Sequence, residues 1–189
     1  MTIETQRLIL RPFCETDAED VFEYLHQPAV NCFVDMKLDS LAQAKEKMRE
    51  RAIDADFYLA ITLKENGKVI GEIFGALEKN EHDSEDTPAD TFSPCWMLNL
   101  NYTGQGYAYE AAHAYFDYLF YQKGIRRIYA YTDDYNAPSQ NLCKKLGMRQ
   151  EGFFREFMSF VNEPDGTPHY ENTYLFAILK KEWSENNKN

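Results

Sequence analysis

Basic residues are scarce in this chain. Its 189 residues include 20 lysines and arginines against 31 aspartates and glutamates, a formal net charge of −11. A chain this acidic repels phosphate backbones, which argues against nucleic acid as a direct ligand and against an anionic membrane as a docking surface. Long apolar runs are also missing; none approaches the roughly 20 residues that a membrane span requires. Cysteine is sparse: Cys14, Cys32, Cys95 and Cys143 form no Cys-x-x-Cys pair. None stands at zinc-ligand spacing from His26, His82, His113 or His169, so no metal site is expected and the thiols read as reduced. The opening Met1-Thr2-Ile3-Glu4 lacks the basic-then-apolar pattern of a secretory leader, which points to a cytoplasmic chain.

What is present suits a folded domain. The chain is 44% hydrophobic and 27% charged, close to the average of globular proteins. Aromatic residues reach 15%, with 13 Tyr and 13 Phe, enough for a large core or a lined cleft. The length fits one domain over residues 1–189, with an acidic loop insertion at 78–92 and a disordered tail at 184–189.

Local patterns divide the chain into alternating elements. Arg7 to Arg11 alternates polar and apolar residues, a half-buried strand ended by Pro12. Thr16 with Glu19, and Ser40 with Gln43, are capping-box pairs that open two helices. Phe57–Leu63 and Val69–Leu77 read as strands joined by a hairpin turn at Asn66-Gly67. The segment Glu78 to Asp90 is rich in charge and poor in apolar residues, as a solvated loop is. Beyond it come a strand at Cys95–Leu100, a helix at Gly106–Lys123 and a strand at Arg127–Thr132. A helix at Pro138–Leu146 and strands at Phe153–Val161 and Tyr170–Leu179 follow. Strands cluster ahead of the helix that starts at Gly106, which predicts a mixed α/β sheet with helices on both faces rather than a doubly wound parallel fold.

Two stretches carry chemistry. In Leu98-Asn99-Leu100-Asn101-Tyr102-Thr103-Gly104-Gln105-Gly106-Tyr107-Ala108 an apolar strand meets a Gly-x-Gly turn and then a helix. Glycines there let backbone N–H groups approach a ligand, and the helix start adds unpaired donors and partial positive charge. The arrangement suits a pyrophosphate. A Rossmann fingerprint would need Gly or Ala where Tyr109 stands, and no Walker Gly-Lys-Ser/Thr occurs. A Gly-x-Gly is also simply a tight strand-to-helix turn, and both readings stand at this point. The second stretch runs from Asn136 to Met148. Asn136 precedes a helix with Pro138 in its first turn, Leu142 and Leu146 are core positions, and Lys144-Lys145 is solvated.

In this order the two stretches resemble the GNAT superfamily of acyl-CoA-dependent N-acetyltransferases, and within it the RimJ/RimL branch, which acetylates protein N-termini and small amines. The phosphate-loop pattern Arg/Gln-x-x-Gly-x-Gly/Ala is similar to Thr103-Gly104-Gln105-Gly106-Tyr107-Ala108. The later branch motif resembles Asn136, Ser139 and Lys145-Leu146-Gly147-Met148. Glu4 to Pro12 is similar to the branch's first strand, and Lys181-Glu182-Trp183 to its ending. The resemblance implies a GNAT fold with a largely antiparallel seven-stranded sheet. It implies acetyl-CoA as cosubstrate, an amine as acceptor, and a monomer or homodimer. Backbone groups of Gly104, Gln105, Gly106, Tyr107, Ala108 and Tyr109 would hold the pyrophosphate, with Thr103 beside them. Leu98, Asn99 and Leu100 would line the pantetheine arm and polarise the thioester carbonyl. Asn136 would bond the pantetheine, and Ser139 would assist the leaving thiolate.

This chain departs from the branch at several positions. Thr103 replaces an Arg or Gln, Cys143 replaces a Tyr acid of other branches, and Ser93, Met158 and Asn172 are neutral where carboxylates are common. Cys143 reads as a buried structural residue. The remaining base candidates are Glu72, Glu156 and Glu171; Glu156 and Ser139 are taken as the catalytic pair. At pH 7 an α-amine of pKa about 7.7 is roughly 17% neutral, and a lysine-type amine of about 10.4 roughly 0.04%. A site without a strong base therefore favours an α-amine, such as a protein N-terminus or an amino acid. The rival expectations are a small-molecule acetyltransferase for polyamines or antibiotics, and a non-catalytic CoA-binding sensor. The segment Phe153–Met158 is expected to border the acceptor cleft.

Overall fold

The computed structural model describes residues 1–53, 56–79, 84 and 87–186. Part of the acidic stretch from Glu78 to Asp90, at 80–83 and 85–86, lies outside the described residues, as do 187–189. Among the described residues eight strands run in the order β1-β2-β3-β4-β5-β6-β8-β7. Strand β1 (Ile3–Glu4), which pairs with β2 (Leu8–Arg11), is the addition to the seven expected. It is too short to leave a hydrophobic period in the sequence.

The chain packs as two compact units, Met1–Phe74 with Cys95–Tyr115, and Gly75–Pro94 with Phe116–Asn189. In the first, β2 and β3 (Tyr58–Leu63) pair antiparallel with Leu8 opposite Leu63, and β3 pairs antiparallel with β4 (Val69–Glu78). The turn between β3 and β4 forms as the sequence predicts: Gly67 has φ 76°, and the Asn66 side chain accepts a hydrogen bond from the Lys68 amide at 3.0 Å. Helices α1 (Ala18–Leu25) and α2 (Leu41–Arg51) bury Val21, Leu25, Ala44 and Met48 together with Phe13, Ala60 and Met97. Ser40 caps α2 by accepting the Gln43 amide at 3.2 Å, and Gln43 returns a bond to the Asp39 amide at 2.8 Å. The first helix starts differently from expectation. Asp17, not Glu19, closes the box by accepting the Cys14 amide at 2.8 Å, and a short 3-10 turn at Glu15–Asp17 precedes α1. Asp17 is selected because Arg11 grips its carboxylate with two bonds of 2.8 Å, a partner from a neighbouring strand that no local pattern reveals.

In the second unit β5 (Thr91–Leu98) begins parallel to β6 (Arg127–Asp133), with Thr91 opposite Arg127. Strand β6 pairs antiparallel with β8 (Pro168–Leu179), and β8 with β7 (Arg149–Asn162). The core is aromatic. Trp183 of α5 (Lys180–Asn186) packs at 5.6 Å on Phe116 and 5.8 Å on Phe120, and its indole N–H donates to Asp117 at 2.8 Å. Helix α5 includes Ser184–Asn186, so the start of the expected disordered tail is helical.

Candidate active site

In the first unit the expected strand at Cys95–Leu100 is β5, ending at Leu98 and followed by a 3-10 turn at Leu100–Tyr102. Asn99 makes that turn. It is buried, its amide donates to Ile70 O at 2.8 Å, and its side chain accepts the Asn101 amide at 3.1 Å. Gly104 and Gly106 then take φ 75° and 85°, which L side chains rarely adopt, and α3 (Tyr107–Tyr121) begins. A Cβ on Gly104 would meet nothing within 4 Å, so the outer side of the turn is open to a ligand. The first amides of α3 have no partner within the helix and carry its partial positive charge. Thr103, Gly104, Gln105, Gly106 and Tyr109 are exposed, while Tyr107 and Ala108 are half-buried. An exposed, glycine-opened helix start of this kind fits a pyrophosphate.

Arg7 also belongs to this turn, and the local sequence pattern does not reveal it. Its guanidinium donates to Gln105 O at 3.1 Å, sits 4.2 Å from the Tyr107 ring centre, and pairs with Glu110 at 2.6 Å. Thr5 donates its hydroxyl to the same carboxylate at 2.6 Å. Burial raises the Glu110 pKa, but the bonds from Thr5 and Arg7 outweigh it and hold the carboxyl below its usual range. A cation therefore stands beside the turn although Thr103 carries no charge.

In the second unit Asn136 caps α4 (Ala137–Lys145), its side-chain oxygen accepting the Ser139 amide at 3.2 Å. The cap uses the Asn136 oxygen and leaves its NH2 for other partners. The cap also brings the two expected residues of this motif together, both half-buried. Cys143 is fully buried, and burial pushes its thiol up to about 12, so it stays protonated and structural.

The base candidates separate. Glu72 is fully buried against the Arg51 guanidinium; burial pushes its carboxyl up to about 7, against the pull of Arg51 and Tyr58. Glu156 is exposed and has φ 47° within an irregular part of β7, where its amide donates to the Asn172 side chain at 3.0 Å. Asn172 also donates to Asp134 at 2.8 Å, so this neutral position ties the bulge to the end of β6. Glu171 is buried, and its charge acts on Asp133. Met158 is partly exposed, opposite Glu171. Among the described residues no cluster of His, Cys, Asp and Glu could hold a metal ion.

Residues 7–149 match the family described as acetyltransferase (GNAT) domain. Over 184 residues the chain is 32% identical to the uncharacterised N-acetyltransferase YnaD of Bacillus subtilis (strain 168), covering 97% of this chain and 100% of that one. Its fold is similar to that of the GNAT-family acetyltransferase from Bacillus anthracis, with TM-score 0.79, 28% identity, and 96% and 99% of the two chains covered. The ribosomal-protein-S5-alanine acetyltransferase from Vibrio fischeri shares the fold, with TM-score 0.71, 17% identity, and 97% and 98% covered. With the glycine turn at the start of α3 and the Asn136-capped helix that carries Ser139, the chain belongs to the GNAT acetyltransferases, which use acetyl-CoA.

Proposed function

We propose that this acetyltransferase passes the acetyl group of acetyl-CoA to a primary amine, preferentially an α-amine such as a protein N-terminus or amino acid. The amine attacks directly, in a ternary complex of RimJ/RimL type. The single observation that carries the cosubstrate end is the open turn at Gly104 and Gly106, with its positive φ angles at the start of α3. In this reading the backbone from Gly104 to Tyr109 binds the pyrophosphate, with Arg7 adding charge. Leu98, Asn99 and Leu100 line the pantetheine arm, and a backbone N–H there polarises the thioester carbonyl. Asn136 bonds the pantetheine through its free NH2, and Ser139 supplies a proton to the departing thiolate. Glu156, exposed to water, receives protons by relay.

Support for the acceptor class comes from the neutral residues Ser93, Met158 and Asn172, which leave an amine that is already partly neutral at an advantage. The Vibrio fischeri enzyme of similar fold is named for an alanine of ribosomal protein S5, which agrees with an N-terminal α-amine. The test is thiol release from acetyl-CoA across peptides of varied first residue, free amino acids, lysine side chains and polyamines. At pH 7 peptide α-amines should lead, and their advantage should shrink towards pH 10. A polyamine or lysine acceptor leading at pH 7 would overturn the α-amine assignment. Tight CoA binding with no acceptor turned over would replace it with a sensor.

A further inference from the structure

The second unit holds two carboxylates that the roles above do not use together. Asp133 closes β6 and Glu171 lies on β8, and they are 6% and 3% exposed. Asp133 pairs directly with Thr173, and Glu171 is the next residue along β8 on the same face. The two carboxylates are therefore diagonal neighbours, a separation over which side chains still interact. Thr173 is 1% exposed, and its hydroxyl has no hydrogen-bond partner among the described residues. A buried hydroxyl without a partner costs free energy, and here it lies between two acids.

The same face is aromatic. Phe154 of β7 pairs with Thr173, and Tyr131 precedes Asp133 by one alternation. The Tyr131 ring lies 6.3 Å from Phe154 and 5.5 Å from Phe157, and all three rings are about two-fifths exposed. Met158, opposite Glu171, is also partly exposed. Half-exposed rings beside buried carboxylates match an ammonium on an apolar carbon skeleton: the acids take the charge and the ring faces take the adjoining carbons.

We propose that Asp133 and Glu171, with the Thr173 hydroxyl and the Tyr131–Phe154–Phe157 wall, bind the acceptor's ammonium and take its first proton, and that they select a peptide N-terminus with an apolar first residue. This inference rests on the α-amine reading and names its acceptor more closely. A free amino acid carries its own carboxylate next to the ammonium, and the acid pair repels it. A peptide presents a neutral amide there instead.

The reaction balances. The ammonium loses one proton to the carboxylate pair, and the neutral nitrogen forms a bond to the thioester carbonyl carbon. The carbon–sulfur bond breaks with its electron pair on sulfur. The second nitrogen proton ends on the thiolate, by way of Ser139. The pair then returns its proton to solvent, with exposed Glu156 a relay.

Proton affinity fits this acceptor. Burial first, then the charge of Glu171, raises Asp133 to about 6, with Asp134 adding to the rise and the Tyr135 hydroxyl opposing it. Taking a proton from an α-amine of pKa about 7.7 is then uphill by about 50-fold, and from a lysine of about 10.4 by about 25,000-fold.

The experiment measures steady-state transfer from acetyl-CoA to an Ala-initiated and a Leu-initiated peptide, and to free alanine and leucine, between pH 5 and 9. It compares the parent with Asp133→Asn, Glu171→Gln, Thr173→Val and Glu156→Gln, and follows CoA affinity and thermal stability alongside. The parent should prefer peptides to free amino acids and show an acid limb near pH 6 in kcat/KM. Asp133→Asn and Glu171→Gln should lower kcat/KM for peptides about 10²-fold and narrow the discrimination against free amino acids; Asp133→Asn should abolish the limb and Glu171→Gln should move it to lower pH. Their CoA affinity should stay parental, and their melting temperature should not fall, since each removes a like-charge contact. Thr173→Val should raise the peptide KM about tenfold without moving the limb; if the acid variants misfold, a parental KM in this variant overturns the inference. A parent active on peptides whose acid variants keep both limb and KM overturns the inference alone, as does loss of the limb only in Glu156→Gln. A parent inactive on every α-amine overturns the α-amine reading itself.

Discussion

In the proposed function, acetyl-CoA binding turns on Gly106. At φ 85°, with a Cβ position 3.4 Å from the Arg7 guanidinium, it accepts no side chain without strain. Gly106→Val should abolish acetyl-CoA binding by calorimetry while the fold, read by circular dichroism, survives. Ser139 is the residue to which the proposed function gives the proton for the departing thiolate. Ser139→Ala should lower turnover about 10²-fold and leave CoA affinity nearly unchanged, because the Asn136 cap bonds the backbone amide of this residue and not its hydroxyl. Both residues stand out in the sequence, since a Gly-x-Gly turn and an Asn cap are local devices. That the Asn136 oxygen is spent on the helix, which assigns the proposed pantetheine bond to its NH2, follows only from the cap geometry.

The link between β1 and β2 meets helix α3 through Thr5, Arg7 and Glu110, and this contact anchors the Gly104–Gly106 turn. The Arg7 and Glu110 side chains are 41% and 16% exposed, so their ion pair adds only about 0.2–1 kcal/mol to stability. Arg7→Ala should therefore melt near the parental temperature yet weaken acetyl-CoA binding up to about tenfold, more at low salt than at high salt. A parental Kd across salt concentrations would remove Arg7 from the site. The helix starts teach the same lesson at this scale. Ser40 caps α2 as the sequence predicts and Gln43 closes back on the neighbouring Asp39 amide, because every partner lies within one turn. Thr16 and Glu19 do not, because Arg11 on β2 draws Asp17 into the role.

Across the whole molecule, buried carboxylates set the pH dependence of stability. Burial raises Glu72 from 4.5 to about 7 and Asp133 from 3.8 to about 6. A raised acid binds its proton more tightly in the folded state, so its contribution is full at low pH and lost as pH rises through the folded pKa. Asp17 and Glu110 are lowered, so their contribution is present at neutral pH and lost under acid conditions. The melting temperature should climb as pH falls from about 8 to about 5 and drop again below about 4. Scanning calorimetry checks this, and Glu72→Gln should flatten the upper part of the curve. A melting temperature that is constant from pH 8 to 5 would place the Glu72 carboxyl in its ordinary range.

Net charge, the turns at Asn66-Gly67 and Gly104–Gly106, the α2 and α4 caps and the order of strands and helices all follow from residues a few places apart. Short-range sterics and hydrogen bonds govern such features, so the amino-acid order alone carries them. The partnerships of Arg7 with Glu110, Arg51 with Glu72 and Asp133 with Glu171 do not follow in this way. They depend on which helices, strands and turns become neighbours; β6, for one, pairs with β8 rather than with β7, the next strand in the chain. Folding brings these charges together and strips water from most of them. Burial and proximity then change what each carboxylate can do, a consequence of three-dimensional distance that spacing along the chain does not encode.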